Sequence, residues 1–157
     1  AIGIAAAPAS LVQQYVDTGA FDAVLCHNRF TLVDQTGRAL FEDAKSRGMT
    51  VFNAAPFGAG LLAKGSASGA RYGYREVPDD LRRWVQAAEE VCASNGVSLR
   101  AAALHFSLRS PLVDSTVVGV SSASRLAELD EIAATPVPDD VWGALEALGP
   151  APSNVDA

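Results

Sequence analysis

One pattern, repeated four times, constrains this chain more than any other feature. A short run apolar on both sides ends at a glycine- or proline-marked break and is followed by an amphipathic helix. AIGIAAA precedes LVQQYVDTG, FDAVLCHNRF precedes RALFEDAKSRGM, TVFNAA precedes a pair of helices, and DSTVVGV precedes a helix with Leu126, Leu129 and Ile132 at helical spacing. Strands buried on both faces and separated by helices pair in parallel, because a parallel pair needs a long crossover.

The helix boundaries carry their own signals. The first helix places Leu11, Val12, Tyr15 and Val16 on one face and stops at Gly19. Lys45 and Arg47 suit the negative end of the second helix before Gly48. A long Gly/Ala/Ser-rich loop runs through Tyr74; Pro78-Asp79-Asp80 then opens a helix reaching Asn95-Gly96, and Ser98 caps another that ends before Pro111. VPDDVWGALEALG is a last helix, closed by Gly149-Pro150.

Two architectures fit four such units: a small doubly wound sheet, or half of a (β/α)8 TIM barrel. Both place function at the C-terminal ends of the strands, here Ala5 to Ala7, His27 to Phe30, Ala54 to Gly60 and Gly119 to Ser122. The segment VFNAAPFGAGLL ends a buried strand in glycines. Glycines there let a ligand lie against bare backbone N–H groups, and a phosphate is the ligand most helped by them.

A length of 157 residues allows one real core. Hydrophobic residues make up 49% and charged residues 19%, which excludes a disordered acidic chain, and no apolar stretch is long enough for a membrane helix. The net charge of −6, with scattered basic residues, argues against nucleic acid or an anionic membrane as partner. Cys26 and Cys92 sit far apart within apolar stretches and read as buried thiols, not as a disulfide framework or metal site. The expected compartment is the cytoplasm. AIGIAAA lacks a basic leader, and a strand starting at Ala1 leads us to expect further chain upstream.

Three segments resemble the aldo-keto reductases. NAAPFGAGLLAKG (53–65) is similar to the family's seventh strand and loop, LCHNRFTLVDQ (25–35) to its sixth, and STVVGVSSASRLAEL (115–129) to its eighth, in the same order and spacing. The helical pair from Asp79 to Arg109, with Pro111-Leu112-Val113, is similar to the family's approach to its last strand. Asn53-Ala54 resembles the branch of L-fucose, L-galactose and pyridoxal 4-dehydrogenases.

The resemblance implies a (β/α)8 barrel of which residues 1–150 are strands five to eight with their helices, a half-barrel, and 151–157 a C-terminal tail. It implies an NAD(P)-dependent oxidoreductase acting on a sugar or small aldehyde or alcohol. The family's Asp/Tyr/Lys/His tetrad lies on strands one to four, so no catalytic residue is assigned here, and Tyr15, Tyr72 and Tyr74 are not promoted to that role. What this half implies is cofactor binding. Phe57, Gly58, Ala59, Gly60 and Leu61 wrap the pyrophosphate; Gly119, Ser121 and Ser122 take phosphate or ribose oxygens; Arg125 meets the adenosine ribose or a 2′-phosphate, and Glu128 the adenine.

Several positions depart from the family pattern: Ala5-Ala6, His27, Val120 and Leu129 stand where Ser-Asn, Gln, Lys and Asn are common. The absent lysine favours NAD over NADP. His27 is either a carboxamide donor or a satisfied core residue, while His105 and Cys26 read as structural. Ser121 and Ser122 also suit a helix cap. The expected partners are the N-terminal half of the barrel or a second copy of the chain, and a small-molecule substrate. The competing reading is a catalytically inactive half-barrel serving as a nucleotide-binding or interaction module.

Overall fold

Four strands pair in parallel in the order in which the chain makes them. The computed structural model describes residues 1–66, 71–72 and 75–153. Strand β1 (Gly3–Ala5) pairs with β2 (Ala23–His27) in the register Ile4 to Val24, β2 with β3 (Thr50–Ala54) in the register Val24 to Val51, and β3 with β6 (Ser115–Val117) in the register Asn53 to Thr116. Helices α1 (Ala9–Val16) and α2 (Arg38–Ser46) make the first two crossovers. The third is longer: α3 (Leu61–Lys64), a small hairpin of β4 (Arg71–Tyr72) and β5 (Arg75–Glu76), then α4 (Asp79–Ser94) and α5 (Leu99–Leu108). Helices α6 (Ala123–Ala134) and α7 (Asp139–Ala147) follow β6.

Strand side chains alternate between two faces, and only one is well covered. Val24, Cys26 and Val51 are buried against Val12 and Val16 of α1 and Leu40, Phe41 and Ala44 of α2. Each fully buried aliphatic or aromatic side chain there contributes about 1.5–3 kcal/mol. The alternate set, Gly3, Ala5, Ala23, Leu25, His27, Phe52, Ser115 and Val117, is half-buried or exposed, with Ala54 the buried exception. A second core joins Leu61 and Leu62 of α3 to Leu81, Val85 and Cys92 of α4, Ala102 and Ala103 of α5, and Val141, Trp142 and Leu145 of α7.

Between the strands and α5 lies a buried polar knot. Asn53 Nδ2 donates to the Phe30 carbonyl and to Ser107 Oγ, both at 2.8 Å, and Ser107 Oγ shares a 2.7 Å hydrogen bond with Thr116 Oγ1. Asn53 and Ser107 are fully buried, so the knot fixes β3, β6 and α5 where water cannot substitute for a lost partner.

Some expectations are corrected. AIGIAAA and DSTVVGV are not strands buried on both faces: β1 and β6 have three residues each and lie at the sheet's edges, each with a strand on one side only among the described residues. FDAVLCHNRF is strand only to His27, because Asn28 turns into the left-handed region at φ 61°. On α1, Val12 and Val16 are buried but Tyr15 is exposed. Helix α6 buries none of its residues, and Leu126 is half exposed. Ser98 does cap α5, accepting from Ala101 N, and Cys26 and Cys92 are buried and not joined in a disulfide. Tyr74 and residues 154–157 lie outside the described residues. No helix among the described residues is long and apolar enough to cross a membrane.

Candidate functional site

The C-terminal end of β3 runs into a succession of left-handed residues: Ala55 at φ 55°, Gly58 at 54°, Ala59 at 52° and Gly60 at 94°. Such a run coils the chain tightly, which glycine permits at low cost and alanine does not. The coil forms one wall of a cavity of about 460 Å³ between the loop after β3 and the start of α6. The facing wall is Val118, Gly119 and Val120 after β6, with Arg125, Glu128 and Leu129 of α6. Lys64 of α3 and Arg100 of α5 close it.

The electrostatics are locally opposite to the acidic chain. Lys64 and Arg125 have no carboxylate partner among the described residues, and both line the cavity. Arg100 donates from Nη1 to Glu128 at 3.1 Å, and its guanidinium carbon stands 5.8 Å from the centre of the Phe57 ring. Its Nε is buried with no hydrogen-bond partner, an unmet donor at the cavity.

The backbone donors are not where the glycines pointed. In the loop, Gly58 N donates to Ala55, Gly60 N to Phe57, Leu61 N to Gly58 and Leu62 N to Phe57, while Ala59 N donates to Asn28 Oδ1. The expectation of bare N–H groups is therefore corrected for residues 58–62: four of these donors close the coil's own turns and that of Ala59 goes to Asn28. The start of α6 is the reverse case. Ser122 Oγ accepts from Arg125 N, but the N–H groups of 119–124 have no protein acceptor among the described residues. These donors sit at the positive end of a helix of 12 residues.

Of the residues given a cofactor role in the sequence, Phe57, Ala59, Gly60, Gly119, Arg125 and Glu128 line this cavity. Gly58 and Leu61 are buried behind it, Gly58 against Val33 and Tyr72, and Leu61 in the core. Ser121 and Ser122 are exposed on the approach to α6, Ser122 as its cap. His27 is exposed at the end of β2, on the less covered sheet face, and is not among the lining residues. Lys64 and Arg100 were missed. Lys64 ends the glycine-loop motif and was legible there; Arg100 meets Glu128 across 28 positions, which no local pattern announces.

Tyr72 is buried, donates to Asp34 Oδ2 at 3.3 Å, and has its pKa pushed far up by burial, so it keeps its proton at neutral pH. Burial also pushes the Cys92 thiol up to about 11, which leaves it inert. His105 Nε2 contacts the Ile132 carbonyl at 3.2 Å, joining α5 to α6. Among the described residues, no group of three His, Cys, Asp or Glu side chains is arranged to hold a metal ion.

Residues 1–150 match the model of the aldo/keto reductase family. Among characterised proteins, the chain is 32% identical to D-threo-aldose 1-dehydrogenase of a Pseudomonas species, over 92% of this chain and 45% of that protein. It is 26% identical to pyridoxal 4-dehydrogenase of Microbacterium luteolum, over 88% and 41%, and 28% identical to L-galactose dehydrogenase of Arabidopsis thaliana, over 81% and 40%. Among solved structures, an aldo-keto reductase of Bacillus halodurans in its holo form superposes with a TM-score of 0.70 at 19% identity, covering 95% of this chain and 50% of that one. The chain thus spans 40–50% of the length of these relatives.

Proposed function

This chain belongs to the aldo/keto reductase family, and on that premise we propose that residues 1–150 are the cofactor-side half of a (β/α)8 barrel, strands five to eight, of an NAD(P)-dependent oxidoreductase acting on a sugar or small aldehyde or alcohol. Three observations support the half-barrel. The strand order follows the chain without reversal, the helices bury one face of the sheet, and the relatives are about twice as long. A doubly wound sheet would reverse its order and cover both faces. The natural neighbour of the open face, with Leu25 and Phe52 on it, is the N-terminal half; a second copy of the chain is the alternative.

The single observation that carries the cofactor reading is the cavity at α6, where the backbone donors of 119–124 meet the cations Lys64 and Arg125, all without a protein partner for the N–H groups or a carboxylate for the cations among the described residues. Those groups fit a pyrophosphate, which takes several N–H donors and positive charge at once. Gly119 lets the backbone approach, since nothing lies within 4 Å of where its Cβ would stand. Ser121 and Ser122 add exposed hydroxyls, and Phe57, Arg100 and Glu128 offer stacking and hydrogen bonding to a base. The glycine coil, with Gly58 and Leu61 packed behind it, shapes this wall; the N–H groups of 58–62 bond within the coil and to Asn28. The nicotinamide group would supply or accept hydride. The residues of this chain bind and orient it, while proton transfer belongs to the tetrad of the other half. Val120, where a lysine would serve a 2′-phosphate, favours NAD.

Titration of the purified chain, its mass verified, with NAD and NADP tests the reading. Saturable binding that weakens about tenfold in Arg125→Gln is expected, with no NAD-linked oxidation of L-fucose or L-galactose by the chain alone. Absent binding would overturn the cofactor reading. Turnover from a pure 157-residue chain would overturn the assignment of proton transfer to the missing half.

A further inference from the structure

A second and larger cavity, about 620 Å³, lies on the helix side of the sheet and shares no lining residue with the one at α6. It is bounded by the turn after β2, the ends of α4 and α5, and α7. Its size is that of a small-molecule site. Both tryptophans of the chain, Trp84 and Trp142, line it together with Phe106.

The aromatic walls are held in place. Trp84 Nε1 donates to the Gly149 carbonyl at 3.0 Å, Trp142 is 8% exposed, and Phe106 packs at a tilt against Phe30 with centroids 5.2 Å apart. Two cations, Arg38 and Arg109, are among its polar side chains. Arg109 lies with its guanidinium carbon 4.4 Å from the centre of the Trp142 ring and has no carboxylate partner among the described residues. A guanidinium stacked on a ring keeps its N–H edge available for a planar carboxylate. Arg38 is the other lining cation; its Nη2 bonds only the neutral Gln35 side chain, at 2.6 Å. Asp34 is buried, with its carboxylate accepting from Thr36 and Tyr72, so Glu146 is the one exposed acid of the lining.

We propose that this cavity binds a monoanionic aromatic carboxylate, its ring between the tryptophans and its carboxylate on Arg109. Arg109 supplies the cation for the carboxylate, and the aromatic lining supplies the wall for the ring. The site does not depend on the nucleotide reading, because it uses none of the same residues.

The two tryptophans are the built-in reporter. Titration of the whole chain with 3-phenylpropionate, followed by tryptophan fluorescence, is expected to give a saturable change that 3-phenylpropanamide, its neutral isostere, does not give. Arg109→Gln should weaken binding about tenfold, and Glu146→Gln should tighten it. If circular dichroism shows Arg109→Gln unfolded, Arg38→Gln takes its place with a loss of about threefold expected. No saturable change, an equal response to the amide, or unaltered affinity in a folded arginine variant would each overturn the proposal.

Discussion

Asn28 Oδ1, at the end of β2, accepts a 2.9 Å hydrogen bond from the backbone N–H of Ala59, in the coil after β3. Both residues are left-handed, at φ 61° and 52°, and Asn28 N also donates to the Ala54 carbonyl at 3.1 Å. One short amide thus ties the ends of two adjacent strands to the wall of the candidate cofactor cavity. Asparagine suits the position because it tolerates the left-handed region and carries an acceptor within reach of the loop.

Replacing Asn28 by Ala removes that acceptor and places a less tolerant residue at positive φ. A loss of about 1–2 kcal/mol is expected, while Asn28→Asp, which keeps an acceptor, should stay near the parent. Equilibrium urea unfolding separates the two. If the alanine variant unfolds at the parent's midpoint, the tether contributes nothing.

Gly58 and Gly119 should respond unequally to alanine. At Gly58, φ is +54° and a Cβ would stand 3.3 Å from Val33 Cγ2 and 3.5 Å from Tyr72, so Gly58→Ala should destabilise by about 1–2 kcal/mol. At Gly119 a Cβ meets nothing within 4 Å, and stability should change by less than about 0.5 kcal/mol. Equal thermal shifts in the two variants would contradict this account of the coil.

The polar knot makes Ser107 more important than its small side chain implies. Ser107→Ala takes one partner from Asn53 Nδ2 and one from Thr116 Oγ1, in a place sealed from water. The expected cost is about 1–3 kcal/mol, with faster amide exchange at β6. Exchange at β6 unchanged from the parent would show that the knot does not hold that edge strand.

Asp114 links α2 to the sheet: it accepts from Lys45 Nζ at 2.7 Å and from Val51 N at 2.8 Å. The Lys45 hydrogen bond, reinforced by that of Val51, holds its pKa below the usual 3.8. A carboxylate with a folded-state pKa below its unfolded value contributes stability that is complete above about pH 4 and lost as pH falls through the lowered value. The pair is about one-third exposed, so solvent screening keeps its contribution below about 1 kcal/mol. Asp114→Asn should therefore flatten the acid limb of the stability curve below pH 4 and leave its neutral plateau only slightly lower. An acid limb as steep as the parent's would assign it to other carboxylates.

Much of this was legible in the residues. Four apolar runs alternating with amphipathic helices gave a parallel sheet, Ser98 and Ser122 were visible as caps, and Cys26 and Cys92 as buried thiols. The pattern did not distinguish edge from centre, so β1 and β6 read like β2 and β3, because a run of apolar side chains records composition and not whether a neighbour will arrive to cover it. The glycines announced a tight coil after β3 but not what its N–H groups would bond, and the unmatched donors lie instead at the start of α6.

The sequence by itself determined the order of elements, their parallel pairing and the loops that meet at the strand ends, because those follow from periodicity, turn chemistry and the crossover a parallel pair requires. Tertiary structure alone decided that Asn28 holds Ala59, that Arg100 meets Glu128 and that Lys45 meets Asp114, pairs separated by 31, 28 and 69 positions. Hydrogen-bond partners and cavity walls are set by which surfaces come within about 3 Å of one another, a distance that depends on the packing of every element between them.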